Sequence, residues 1–149
     1  MQPSVNLSGD RLLFVLIAIL SLAGVIDSGI SVQRHFAEST TRYCDFSQKF
    51  SCDIVNRSEY STLLGIPVAV IGVAGYAMLF ALSIFFRTRE QIRDWLLGAA
   101  LAGLGFALYL TYIEAYVLTT WCILCLISLV LISLISVVAG VLKLRNSRA

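Results

Sequence analysis

Four stretches of this chain are apolar for close to twenty residues or more, and that constrains the fold more than any other feature. They cover residues 12–30, broken by Asp27, then 63–86, 95–115, which contains Glu114, and 121–142. A bilayer hydrocarbon core of about 30 Å is crossed by roughly 20 helical residues. Lipid offers no water to an unpaired peptide group, so stretches of this length are expected to cross it as helices. The whole chain agrees: 58% of its 149 residues are hydrophobic and 13% charged, where a soluble domain carries about a quarter charged. The pattern predicts an all-α integral membrane four-helix bundle, folded as a single domain over residues 1–149. A short turn around residues 114–120 separates the last two spans. Pro67 is placed in the first turn of the second span, where proline is tolerated. Gly98, Ala99, Ala102, Gly103 and Gly105 serve close packing of the third helix.

The first span reads as an anchor. Ser21-Leu22-Ala23 resembles a leader cleavage site, yet apolar character continues to Ile30, which is long for a leader. Basic residues set the orientation. With the N-terminus inside, Arg11, Arg87, Arg89, Arg93, Lys143, Arg145 and Arg148 all lie on the inner side. The loop over residues 31–62 then lies outside, where Arg34, Arg42, Lys49 and Arg57 are balanced by Glu38, Asp45, Asp53 and Glu59. This predicts N-in and C-in. Phe36, Tyr43, Phe46, Phe50, Ile54 and Val55 give the outer loop apolar residues to lay over the bundle mouth, partly as a short helix. A net charge of +2 with no basic face excludes a nucleic-acid partner.

Following the chain through these spans brings its four cysteines to one membrane boundary. Cys44 and Cys52 lie in the outer loop, and Cys122 and Cys125 begin the fourth helix on the same side. Disulfides persist outside the cytoplasm. A CxxC at a helix start is favoured as a thiolate by the helix dipole and is a recurrent reactive dithiol. Cys122 is then expected to exchange with an incoming thiol, and Cys125, one turn deeper, to face a lipid-borne acceptor. A relay would run from an external dithiol to Cys44–Cys52, then Cys122–Cys125, through mixed disulfides. Two bland readings stand beside it: structural disulfides holding the loop to the bundle, and a four-cysteine metal site. The eight-residue interval between Cys44 and Cys52 is less typical of zinc. A c-type haem needs a histidine where Leu126 stands.

Four other features bear on function. His35, the only histidine, reads as a polar interface residue. Glu114 could meet a quinone oxygen or its proton path, although solvation at a helix end is the plainer expectation. Tyr109, Tyr112 and Tyr116 share one helix face, either lining a ring-shaped pocket or forming an interfacial belt. Asp27 is expected to meet water or a loop cation.

Cys44, Cys52, Ser58, Leu64-Gly65-Ile66-Pro67 and Trp121-Cys122-Ile123-Leu124-Cys125 together resemble the vitamin K epoxide reductase family, over essentially the whole chain. The resemblance implies a four-helix bundle around a quinone, capped on its extracytoplasmic side. It implies that Cys44 faces the partner, Cys52 shuttles between Cys44 and Cys122, and Cys125 reduces the quinone, with Ser58 ordering the cap. The residues expected against the quinone are Cys125, Ser58, Glu114 and Tyr112. Leu129 stands where vertebrate members carry a tyrosine, the asparagine that contacts the vitamin K ring has no counterpart near Pro67, and Gly65-Ile66-Pro67 resembles prokaryotic members. The implied function is therefore a thiol:quinone oxidoreductase of the cell inner membrane that supports disulfide formation. It would use ubiquinone, menaquinone or a vitamin K-type quinone, without a metal. Many prokaryotic members carry a fused thioredoxin-like domain; this sequence implies a separate thioredoxin-fold partner. A vitamin K quinone or epoxide reductase is the alternative enzyme, and a non-catalytic membrane protein with structural disulfides the alternative of another class.

Overall fold

Helix accounts for nearly all of the described chain, as backbone crossing lipid requires. The computed structural model describes residues 7–36, 62–63, 65–118 and 122–148. Helix α1 spans Leu7–Phe36, α2 Val68–Phe85, α3 Ile92–Ile113 and α4 Ile123–Arg148. All four are long and apolar enough to cross a membrane, over Gly9–Gln33, Val68–Phe85, Ile92–Val117 and Ile123–Arg145. The chain is an all-α membrane bundle. The expected loop cap, with Cys44, Cys52 and Ser58, lies outside the described residues.

The second span begins at Val68, later than expected. Before it, β1 (Thr62–Leu63) pairs antiparallel with β2 (Ile66–Pro67). Gly65 sits between them at φ +82°, a conformation that glycine adopts without steric penalty. Pro67, at φ −58°, stands just ahead of α2, so it precedes the first turn and its missing N–H costs no helical bond. The third span runs past Ile113 into a π-helical turn, Glu114–Leu118, where a simple turn was expected. The Glu114 N–H is shared between the carbonyls of Leu110 and Thr111.

Helix α1 packs against both α2 and α4, and α3 packs chiefly against α4, while of these neighbouring pairs α2 and α3 meet most sparsely. Ile17, Leu96, Ala100 and Ile135 are fully enclosed between them. Large apolar side chains such as Leu12, Ile19, Val130 and Val137 point outward, as suits a lipid-facing surface. At one end of the bundle, Arg93 donates to Asp10 at 2.9 Å and Arg145 approaches the same carboxylate at 3.6 Å. Lys143 meets Asp94 at 2.6 Å. These pairs help explain why α3 and α4 extend beyond their apolar runs: Arg93, Asp94, Lys143 and Arg145 each have a partner.

Hydroxyls inside the helices are handled locally. Ser83, Thr111, Ser133 and Ser136 donate to carbonyls three or four residues back, the usual accommodation of such residues in apolar helices. Tyr76 instead reaches another helix, with its hydroxyl 2.9 Å from the Ser128 carbonyl and 2.8 Å from Ser128 Oγ. Its ring lies against Gly24, where an added Cβ would come within 2.3 Å of the ring.

Gly24→Ala is therefore expected to displace a ring pinned at its far end, costing roughly 1–3 kcal/mol. Gly75→Ala, whose Cβ meets nothing within 4 Å, should leave stability unchanged or slightly raised. Thermal unfolding in detergent compares the two, and equal losses would remove the packing role assigned to Gly24.

Candidate functional site

The dithiol sits where α4 begins. Cys122 immediately precedes the helix and is fully buried, packed with Leu124, Ile30 and Cys125. Cys125 follows one turn later, and both are free thiols. The Cys122 backbone N–H is one of the donors that a helix start leaves without an intrahelical acceptor. It donates to Glu114 Oε2 at 3.2 Å. The π-helical turn places Glu114 under the start of the next helix; such irregular turns are frequent at functional sites.

Glu114 is 1% exposed, so the expected solvated helix end is replaced by a buried carboxyl group. Its second oxygen, Oε1, has no hydrogen-bond partner among the described residues. The Cys125 thiol is an electrostatic neighbour of both Glu114 and the Cys122 thiol. Three groups able to hold or release protons thus meet at one point.

A cavity of about 330 Å³ opens beside them, lined from all four helices. Its wall includes Cys125, Glu114, Ser128, Tyr76 and Asp27 as polar members, with Gly75, Ala102 and Gly103 among the small residues that make room. Of the small residues of α3, Ala99, Ala102 and Gly103 line the cavity. Gly103 alone among the α3 glycines meets a neighbour, Ile132, at 3.2 Å from an added Cβ, whereas Gly98 and Gly105 face open space.

The structure brings Cys122, Cys125 and Glu114 together. It places Tyr112 elsewhere: 59% exposed, on the outer surface, with its ring 5.0 Å from that of Tyr116 and apart from the cavity lining. Tyr109, at 57%, faces out as well, the disposition of an interfacial belt. Asp27 is 7% exposed and lines the cavity, where water or a loop cation had been expected. The sequence reading missed it, together with Tyr76 and Ser128. The signal was present, because an ionisable residue inside a span is a functional candidate by default.

Four membrane helices carrying a dithiol beside a carboxyl-lined cavity define a class, the membrane redox proteins that work through paired thiols. Residues 15–139 match the Vitamin K epoxide reductase family, and the chain belongs to that family. Membership gives the kind of activity: quinone-linked thiol oxidation or vitamin K reduction by a membrane oxidoreductase.

The bond from Cys122 to Glu114 gives a direct expectation. Glu114→Ala strands a buried N–H and should cost roughly 1–3 kcal/mol, whereas Glu114→Gln retains an acceptor and should cost less. Thermal unfolding of the purified variants measures the difference; identical losses would mean that the bond does not hold the start of α4.

Proposed function

We propose that this protein is a membrane thiol:quinone oxidoreductase. It would accept electrons from a thioredoxin-fold protein and pass them through Cys44/Cys52 and Cys122/Cys125 to a quinone, leaving a disulfide in the partner. The observation that carries this reading is the free dithiol whose inner member, Cys125, lines an apolar cavity beside the buried Glu114.

The cavity suits a quinone on physical grounds. Its volume falls at the lower end of small-molecule sites, its walls are largely apolar, and its lining spans α2 and α3, neighbours that meet only sparsely. The unpartnered Glu114 Oε1 offers a hydrogen-bonding group to a ring oxygen. A bound quinone would supply the capacity to take up two electrons and two protons. The protein's own groups would do the rest. The Cys44/Cys52 dithiol, reduced by the partner, attacks the Cys122–Cys125 disulfide through Cys52 at Cys122, and Cys44 then closes Cys44–Cys52. The freed Cys122 and Cys125 thiols give up two electrons and two protons at the cavity wall as their disulfide re-forms. Glu114, a neighbour of the Cys125 thiol, would take up the proton that this thiol gives up.

The reading also sets the orientation. Arg93, Arg145 and Lys143 gather at the end of the bundle remote from the dithiol, which favours N-in and C-in with the site on the extracytoplasmic face of the cell inner membrane. Residues 1–149 would act as one domain, with Ser58 ordering the cap.

Quinone reduction by the purified protein, driven by a reduced thioredoxin-fold donor, tests the proposal. Wild type should turn over, and Cys125→Ala should lose more than about a hundredfold, as expected when a covalent redox group is removed. Folded wild type that reduces neither ubiquinone, menaquinone nor vitamin K with a competent donor would overturn it.

A further inference from the structure

We propose that Asp27 is a second catalytic residue, hydrogen-bonding the quinone oxygen that lies away from Cys125 and delivering its proton. This rests on the thiol:quinone reading above and adds a residue and a binding pose to it.

Asp27 lies in the interior of the first span, is 7% exposed and lines the cavity. Among the described residues it has no hydrogen-bond partner. It interacts electrostatically with the Tyr76 hydroxyl. That hydroxyl is engaged by the carbonyl and Oγ of Ser128, so the phenol proton is committed elsewhere. A carboxyl group in such a place is expensive to bury without a partner, and the open side available to it is the cavity.

Besides Ser28 and Ser31, the cavity's polar groups fall into two layers. Cys125 and Glu114 form the first. Ser128 lies three residues further along α4, about 4.5 Å deeper at the helical rise, and through Tyr76 it defines the second layer, to which Asp27 belongs. A para-quinone carries its oxygens at opposite ends of the ring, so a ring with one oxygen at Cys125 and Glu114 presents the other to Asp27. In its protonated form Asp27 donates to that oxygen.

The accounting closes. Two electrons leave the dithiol as the Cys122–Cys125 bond forms, and its two thiol protons are released. Two O–H bonds form on the acceptor. Glu114 passes one proton to the near oxygen. Asp27 gives its own to the far oxygen and regains the second thiol proton, so no further reductant or oxidant enters.

Equilibrium binding of ubiquinone-1 to the purified protein, followed by calorimetry, is the first measurement. Asp27→Leu should weaken binding about tenfold or more, the effect of leaving a polar ligand atom unpaired. Asp27→Asn, isosteric and still a donor, should bind within about threefold of wild type yet turn over about 10²-fold slower or worse, the scale of a lost general acid. Reduction of the Cys122–Cys125 disulfide by the donor in the absence of quinone should match wild type in both variants. Should Asp27→Leu fail to fold, Asp27→Asn carries the test. Wild-type binding and turnover in Asp27→Asn would overturn the role of Asp27 and leave the thiol:quinone reading intact. Absence of quinone reduction in wild type would overturn both.

Discussion

A polar group inside lipid-facing helices has no water to fall back on, and this constraint organises the whole molecule. Most polar atoms within the described spans obey it with protein partners. Serine and threonine hydroxyls return to their own helix, Tyr76 crosses to Ser128, and Asp10 gathers two arginines at one end. Against that background the exceptions carry information. Glu114 Oε1 and the Asp27 carboxyl lack hydrogen-bond partners among the described residues, and both line the cavity beside the dithiol. Ser21 Oγ is also unpartnered and lies away from the cavity, so burial alone does not mark a site. The conjunction of an unpaired ionisable group with an open wall does.

The bundle makes that wall by packing unevenly. Helix α1 is the hub, and α2 meets α3 only sparsely. Gly75, Ala102 and Gly103 keep the space between them open. A void of about 330 Å³ in a closed core would cost on the order of 8 kcal/mol at about 24 cal/mol per Å³. That is comparable to the entire stability of a typical domain. A cavity of this size is tolerable only where a lipid chain or a ligand occupies it, and the sparse α2–α3 contact is where either would pass. Under the proposed function, the same looseness that would weaken a soluble protein would give a lipid-dissolved substrate a route to the thiols.

Much of this was legible in the sequence, and what was not has physical reasons. Uninterrupted apolar runs located the four helices, and the CxxC placed its dithiol at a helix start. The helix ends were misjudged where charges intervene, because Arg93, Asp94, Lys143 and Arg145 are admitted by partners distant in sequence. Spacing gave Tyr109, Tyr112 and Tyr116 a common face without saying which way it looked, and the face turned outward. Glu114 looked like a solvated helix end because nothing in the local sequence announces a π-helical turn that carries it inward. Asp27 looked like a boundary residue because it stands near the end of an apolar run, whereas α1 continues to Phe36. Cys44, Cys52 and Ser58 lie outside the described residues, so their places in the relay stay with the proposal.

The closeness of Glu114 to the thiols decides how electrons and protons must move together. A helix N-terminus favours an anion by about 0.3–1 kcal/mol. Two unit negative charges about 4 Å apart repel by about 4 kcal/mol at an effective dielectric of 20. The second effect exceeds the first, so a thiolate at the dithiol and an ionised Glu114 do not comfortably coexist in this enclosed site. In the proposed mechanism, formation of a thiolate would therefore pass its proton to the neighbouring carboxyl group. Oε2 remains tied to the Cys122 backbone, and Oε1 is the oxygen left to carry that proton towards the cavity. One residue thus ties down the start of α4 with one atom and, in the proposed mechanism, would hold the proton with the other, coupling release of the electron pair to release of the proton that follows it.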